Sequence, residues 1–232
     1  MKNLALLFAA ALAAIPSIAA DNLEPDDTYF QNYHDQVNST LKEVFAPDVL
    51  TRMTVEPSFS VEYAVALKED AGANKIVSIT AEQQLWKFQV LEMMKRGEIT
   101  SSDMDGKNTT ADEIKRLEAS LPKDPNEVKV ERCEVAVDSG LAARIVSVWK
   151  QMLLGVHVVP YEGGLDGVFY RFSMPVDGKD VAGQTWSPNP DSKPGRLVEI
   201  AETMRAYCQK KNETMATKLG GQVGALLKRL NP

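Results

Sequence analysis

Residues 58–69 read SFSVEYAVALKE, and the reading of this stretch decides the fold. Phe59, Val61, Tyr63, Val65 and Leu67 recur at every second position. A period of two marks a half-buried strand, because successive side chains leave opposite faces of a pleated backbone. EDAGAN (69–74) then supplies the glycine and small residues of a turn, and KIVSIT (75–80) returns as a second apolar run. Strands joined by so short a connection are antiparallel, since a parallel pair needs a crossover of a dozen residues or more.

Working outward, the period changes from two to 3.6. On the N-terminal side Tyr29, Phe30, Tyr33, Val37, Leu41, Val44 and Phe45 fall at helical spacing between Asp26 or Asp27 and Pro47, which predicts one amphipathic helix. On the C-terminal side Thr80 and Gln83 have the spacing of a capping box for a helix through Leu85, Phe88, Leu91 and Met94, ended by Gly97. Residues 98–127 are the least apolar stretch. They are expected to form a surface insertion holding a short helix, TADEIKRLEASL (110–121), closed by Pro122 and Pro125. In VKVERCEVAVD (128–138), Val128 and Val130 have the opposite parity to Cys133, Val135 and Val137, which predicts a strand with a bulge near Glu131. Asp138 or Ser139 then caps a helix with a stripe of Leu141, Ile145, Val148, Trp149 and Met152. Residues 156–190 read as strands separated by glycine turns, and residues 195–211 and 214–230 as two successive helices. The expectation is an α+β fold: a mostly antiparallel sheet packed by several helices, in a single domain over residues 21–232.

Residues 1–20, MKNLALLFAAALAAIPSIAA, have one lysine, an apolar run from Leu4 to Ile15, a proline and a small-residue exit. That order predicts a secretory signal peptide cleaved after Ala19 or Ala20, and the run is too short for a membrane anchor. The export predicted is to the periplasm or beyond the cell. Loss of Lys2 takes the formal charge from −6 to −7, a balance unsuited to nucleic acid or anionic membrane surfaces. No later segment has the length and apolarity of a membrane span. Cys133 and Cys208 are the two cysteines. Each lies on the apolar face of its element, so the pair reads equally as a disulfide between a strand and its covering helix or as two buried thiols.

Few residues point to chemistry. SSDMDGKNTTADE (101–113) resembles the EF-hand loop, with Gly106 at the sixth position, Asp103 at the third, Asp105 at the fifth and Asp112 at the twelfth. The resemblance covers about a dozen residues. It departs from the motif at the first position, a serine, and at the twelfth, where aspartate is too short and Glu113 arrives one residue late. Thr110 and Glu113 also form a capping box for the next helix, which needs no calcium. The histidines are His34 and His157; Cys133 and His157 could in principle form a nucleophile–base pair, but Cys133 shares its strand face with Val135 and Val137, the expected place of a core thiol. No two His or Cys residues lie within a helical turn of each other, so structural zinc is not expected, and no cofactor is called for.

The richest cluster runs from His157 to Arg196. Tyr161, Tyr170 and Trp186 offer aromatic faces, Glu162 and Asp166 offer carboxylates, and Arg196 a cation. Such a set suits a sugar-binding surface or a carboxylate hydrolase, while its glycines and alternating aromatics equally suit turns and a core. LDGVFYRFS (165–173), GQTWSP (183–188) and GRLVEIAETMRAY (195–207) are similar to a group of uncharacterised exported bacterial proteins. The similarity covers about the last hundred residues. It implies bacterial export and makes Asp166, Gly167, Tyr170, Phe172, Trp186, Ser187 and Pro188 the defining positions, without implying an activity. The resulting expectation is an exported, non-catalytic binding or interaction protein with a protein or cell-envelope ligand. Its alternatives are a hydrolase of a polar envelope polymer using Glu162 or Asp166, and an inhibitor or immunity-type protein.

Overall fold

A computed structural model of the chain describes residues 21–26, 30–99, 111–158 and 167–231. Six strands, β1 (Val49–Pro57), β2 (Tyr63–Asp70), β3 (Ala73–Ala81), β4 (Val130–Val137), β5 (Val168–Val176) and β6 (Lys179–Trp186), form one sheet in the order β4-β3-β2-β1-β5-β6. Every neighbouring pair is antiparallel. Among the described residues six α-helices accompany the sheet: α1 (Gln31–Thr40), α2 (Trp86–Lys95), α3 (Ala111–Ser120), α4 (Ser139–Leu154), α5 (Lys193–Lys210) and α6 (Glu213–Leu230). This is the expected α+β architecture.

The deciding hairpin is β2–β3, in register from Tyr63 opposite Thr80 to Asp70 opposite Ala73. Ala71 and Gly72 turn it with φ of +50° and +80°, the two positive values that suit the right-handed twist of the flanking strands. The strand starts later than the alternation implies. Phe59 lies in the β1–β2 connection and is 77% exposed.

Both faces of the sheet are covered, and this resolves the parity change in β4. Val65, Leu67 and Ile76 pack with Ile145, Trp149, Ile200, Met204 and Val223 beneath α4, α5 and α6. Ala64, Ala66, Val77 and Ile79 pack on the opposite face with Tyr33, Val37 and Leu41 of the α1 region. Val128 belongs to the second layer, whereas Cys133, Val135 and Val137 pack against the first. Apolar residues of either parity therefore have a core to enter, and the β3–β4 register is unbroken from Val130 to Val137 without the expected bulge.

The central strand β1 has no counterpart in the sequence reading. Met53 and Val55 enter the first core, but Arg52, Thr54 and Glu56 occupy the other face and are buried as well. Buried charges hide a strand from a reading based on apolar alternation.

Two ends differ from expectation. Thr80 lies inside β3, so Thr80 and Gln83 do not open α2. Its N-cap position, Leu85, supplies no side-chain cap. Gly97, with φ of +70°, does end it. Asp138 caps α4 by accepting from the Leu141 N–H at 2.9 Å. Residues 156–158 carry no strand, and the glycine-turn expectation is met by the β5–β6 hairpin at Asp177-Gly178. Cys133 on β4 and Cys208 on α5 meet at disulfide distance, their Cα atoms 5.8 Å apart. Among the described residues no helix is long and apolar enough to cross a membrane.

Candidate functional site

Of the residues singled out from the sequence, the described Tyr170, Trp186 and Arg196 lie on three different elements. Tyr161, Glu162 and Asp166 lie outside the described residues. Tyr170 sits half-buried in β5, where burial and then the Glu202 carboxylate push its phenol above the usual range. Arg196 is exposed on α5 and committed to Asp191 and Glu199 at 2.6 and 3.0 Å. Trp186 ends β6 over Gly167, where a Cβ would come within 2.3 Å of the indole Nε1. Ser187 closes the same end, its Oγ accepting from the Val168 N–H at 3.0 Å, and Phe172 is fully buried. These positions lock the open end of the β5–β6 hairpin and fill the core.

The calcium-loop reading falls mainly on Asp103 and Asp105, which lie outside the described residues, while Asp112 is exposed in the first turn of α3. Among the described residues no group of three or more His, Cys, Asp or Glu is placed to hold a metal. Cys133 and His157 do not meet: Cys133 lies at disulfide distance from Cys208, and the His157 ring makes its contacts with Asn22 and the Gly155 carbonyl.

Two buried polar clusters stand behind α1. Glu62 is fully buried and accepts from Leu85 N–H at 2.6 Å, Trp86 N–H at 2.8 Å and the Tyr33 hydroxyl at 2.8 Å. It supplies, from the β1–β2 connection, the cap that α2 lacks locally. Desolvation nevertheless holds its carboxyl above the usual range, against the pull of those hydrogen bonds. Beside it His34 Nδ1 lies 3.1 Å from Glu56 Oε1, and His34 Nε2 lies 3.0 Å from Arg171 Nη2. A guanidinium only donates, so Nε2 accepts and the proton resides on Nδ1, facing the carboxylate. Arg171 also pairs with Glu56 at 3.2 Å and with Asp26. Both ring nitrogens of His34 are occupied within the fold, and the cluster fixes α1 to the sheet.

A concave site lies between α1, α2, α3 and the turn at Pro125–Glu127, a cleft of about 900 Å³. Phe88 and Leu91 of α2 form its floor with Leu121 and Pro122 from the end of α3. These are the residues that the amphipathic periods of the two helices turn toward each other. Gln36 reaches in from α1, and its buried Nε2 has no hydrogen-bond partner. At the rim Lys95 bridges Glu118 at 3.0 Å and Glu92 at 3.5 Å, tying α2 to α3, and the hydrogen bond to Glu118 holds the Lys95 ammonium above its usual value. Lys115 and Lys123 line the cleft with no ion pair among the described residues. The arrangement offers an apolar floor and two ammonium groups without an ion pair among the described residues, which suits an organic anion with an apolar face.

The sequence reading placed 98–127 at the surface but did not see it as a cleft wall. Its signal was the stripe Ile114, Leu117 and Leu121 in an otherwise charged segment, which needs an apolar partner across a gap. No protein-family model matches the chain, and no curated protein or solved structure is similar to it.

Proposed function

We propose that the chain is an exported, non-catalytic binding protein whose ligand is an anionic cell-envelope fragment seated in the α2–α3 cleft. The observation that carries this reading is the apolar floor of Phe88 and Leu91 in a cleft also lined by Lys115 and Lys123, which have no ion pair among the described residues. Export rests on the leader-like residues 1–20, on the resemblance to exported bacterial proteins, and on a cysteine pair at disulfide distance, which persists in oxidising compartments.

Muropeptides released from peptidoglycan by lysozyme are the probe, because they combine carboxylates with apolar methyl and acetyl groups. Thermal unfolding of the mature protein is expected to shift upward, since ligand at about tenfold its Kd adds about 1.4 kcal/mol. The Lys115→Glu/Lys123→Glu variant is expected to lose the shift. No shift with intact muropeptides removes the reading. Muropeptides cleaved by the wild type but not by Glu162→Gln or Asp166→Asn replace it with the hydrolase.

A further inference from the structure

The two edges of the sheet are not equivalent. At β6 the N-terminal residues form a bridge, with Glu24 N–H donating to the Gln184 carbonyl and Gln184 N–H to the Glu24 carbonyl, both at 2.8 Å. At β4 no strand among the described residues lies outside Val130–Val137. The backbone direction along β4 follows from its neighbours. Glu82 N–H donates to the Lys129 carbonyl at 2.9 Å, so the odd-numbered residues turn their backbone groups toward β3. The even-numbered Val130, Arg132, Glu134 and Ala136 turn theirs outward, and the Tyr207 hydroxyl reaches the Ala136 carbonyl there at 3.4 Å. Neither a proline nor a bulge interrupts the strand, and these are devices that usually prevent pairing at an edge.

We infer that β4 pairs antiparallel with β4 of a second copy of this chain, around a two-fold axis at Cys133, to give a closed dimer with a continuous twelve-stranded sheet. The side chains select this register. A two-fold axis perpendicular to the sheet pairs only residues of equal parity, and outward-facing backbone groups must oppose one another to bond. With the axis at Cys133, Arg132 of one copy faces Glu134 of the other, twice. Val130, which is 39% exposed in the single chain, faces the small apolar Ala136, also twice. Moving the axis one residue toward the N-terminus sets Arg132 against Arg132, and one residue toward the C-terminus sets Glu134 against Glu134, both destabilising across a strand pair. The two-fold contact uses the β4 edge of each copy against itself, so pairing closes at two copies, and Glu24 bridges the other edge at Gln184.

Sedimentation velocity of the mature chain over a wide concentration range tests this, with far-ultraviolet circular dichroism as a control on folding. The wild type is expected to show a monomer–dimer equilibrium. Arg132→Glu and Glu134→Arg, each placing like charges opposite one another twice, are expected to weaken the dimer by at least about tenfold. The double exchange Arg132→Glu/Glu134→Arg is expected to restore it, although both variants disturb the intramolecular pairing of Arg132 with Glu43 and Glu134. As a register readout, Cys208→Ser frees Cys133, and mild oxidation is expected to give a Cys133–Cys133 covalent dimer in the wild-type charge background and not with Arg132→Glu. A wild type monomeric at every concentration overturns the inference. So does a dimer whose affinity is the same in all the charge variants, since that dimer uses another surface.

Discussion

Glu62 ends the β1–β2 connection with its side chain sealed between β2, α1 and α2, and both of its oxygens are engaged by hydrogen-bond donors. Truncation by Glu62→Ala strands two backbone N–H groups and the Tyr33 hydroxyl in the core, and is expected to cost about 3–5 kcal/mol. Tyr33→Phe removes one donor of the three and is expected to cost about 1 kcal/mol. Urea unfolding of the two variants measures both, and a Glu62→Ala effect no larger than that of Tyr33→Phe removes the capping role. The carboxyl also leaves a mark on pH dependence. Its folded-state pKa is raised by burial above the ordinary 4.5, so the folded chain holds the proton more tightly than the unfolded one. Its favourable contribution is complete below the ordinary value and is lost as pH rises through the raised one. The stability of the wild type relative to Glu62→Gln is therefore expected to improve as pH falls from 7 toward 5, and a difference independent of pH excludes the assignment.

At the scale of elements, Cys133 on the edge strand β4 and Cys208 on α5 stand at disulfide distance across 75 residues of sequence. Closing a loop of that length in the unfolded chain is expected to contribute about 2–4 kcal/mol. Replacing both partners, Cys133→Ala/Cys208→Ala, is expected to lower the urea midpoint accordingly, and an unchanged midpoint shows that the bond does not form in solution. Gly195 in the first turn of α5 is a second element-level constraint. A Cβ there would lie 2.0 Å from the Asn189 carbonyl oxygen, a backbone atom that cannot swing aside, so Gly195→Ala is expected to destabilise by about 1–3 kcal/mol in the same assay. The elements that the sequence made legible are those with apolar periods and local signals: β2 and β3, the α4 stripe with its Asp138 cap, and the two C-terminal helices. Strand β1 was not legible, because Arg52 and Glu56 are buried through partners as distant as Asp180, His34 and Arg171. The start of α2 was misread for the same reason, since its cap comes from Glu62, more than twenty residues upstream. Of the candidate site, the helix period made Phe88 and Leu91 legible. The orphaned Gln36 amide was invisible, because lack of a partner is a property of three-dimensional packing alone.

Across the whole molecule, the two ends of the described chain are held at one place. Leu23 is fully buried in the first core, Glu24 bridges Gln184 on the β6 edge, and Asp21 accepts from the Lys193 N–H at 3.1 Å while pairing with Arg229 at 3.2 Å. Asp21 thus sits at the positive end of α5 and is clasped by the last turn of α6, an arrangement that favours a carboxylate. These residues follow directly on the predicted leader cleavage, so processing after Ala20 leaves a strap that begins with its own anchoring residue. Deletion of residues 21–26 removes the buried leucine, for which burial is worth about 2–5 kcal/mol by analogy with Leu→Ala in cores, and uncovers the Gln184 backbone. The deleted chain is expected to unfold at lower urea and, with both sheet edges open, to form assemblies larger than the dimer, because a second unpaired edge allows addition to continue. Leu23→Ala separates the two effects: it is expected to reproduce the loss of stability while the Glu24 bridge keeps assembly at the wild-type size. Sedimentation of the two variants beside their unfolding curves checks both halves. A deletion variant as stable as the wild type shows the strap to be idle, and one that is destabilised without growing in size confines its role to the core.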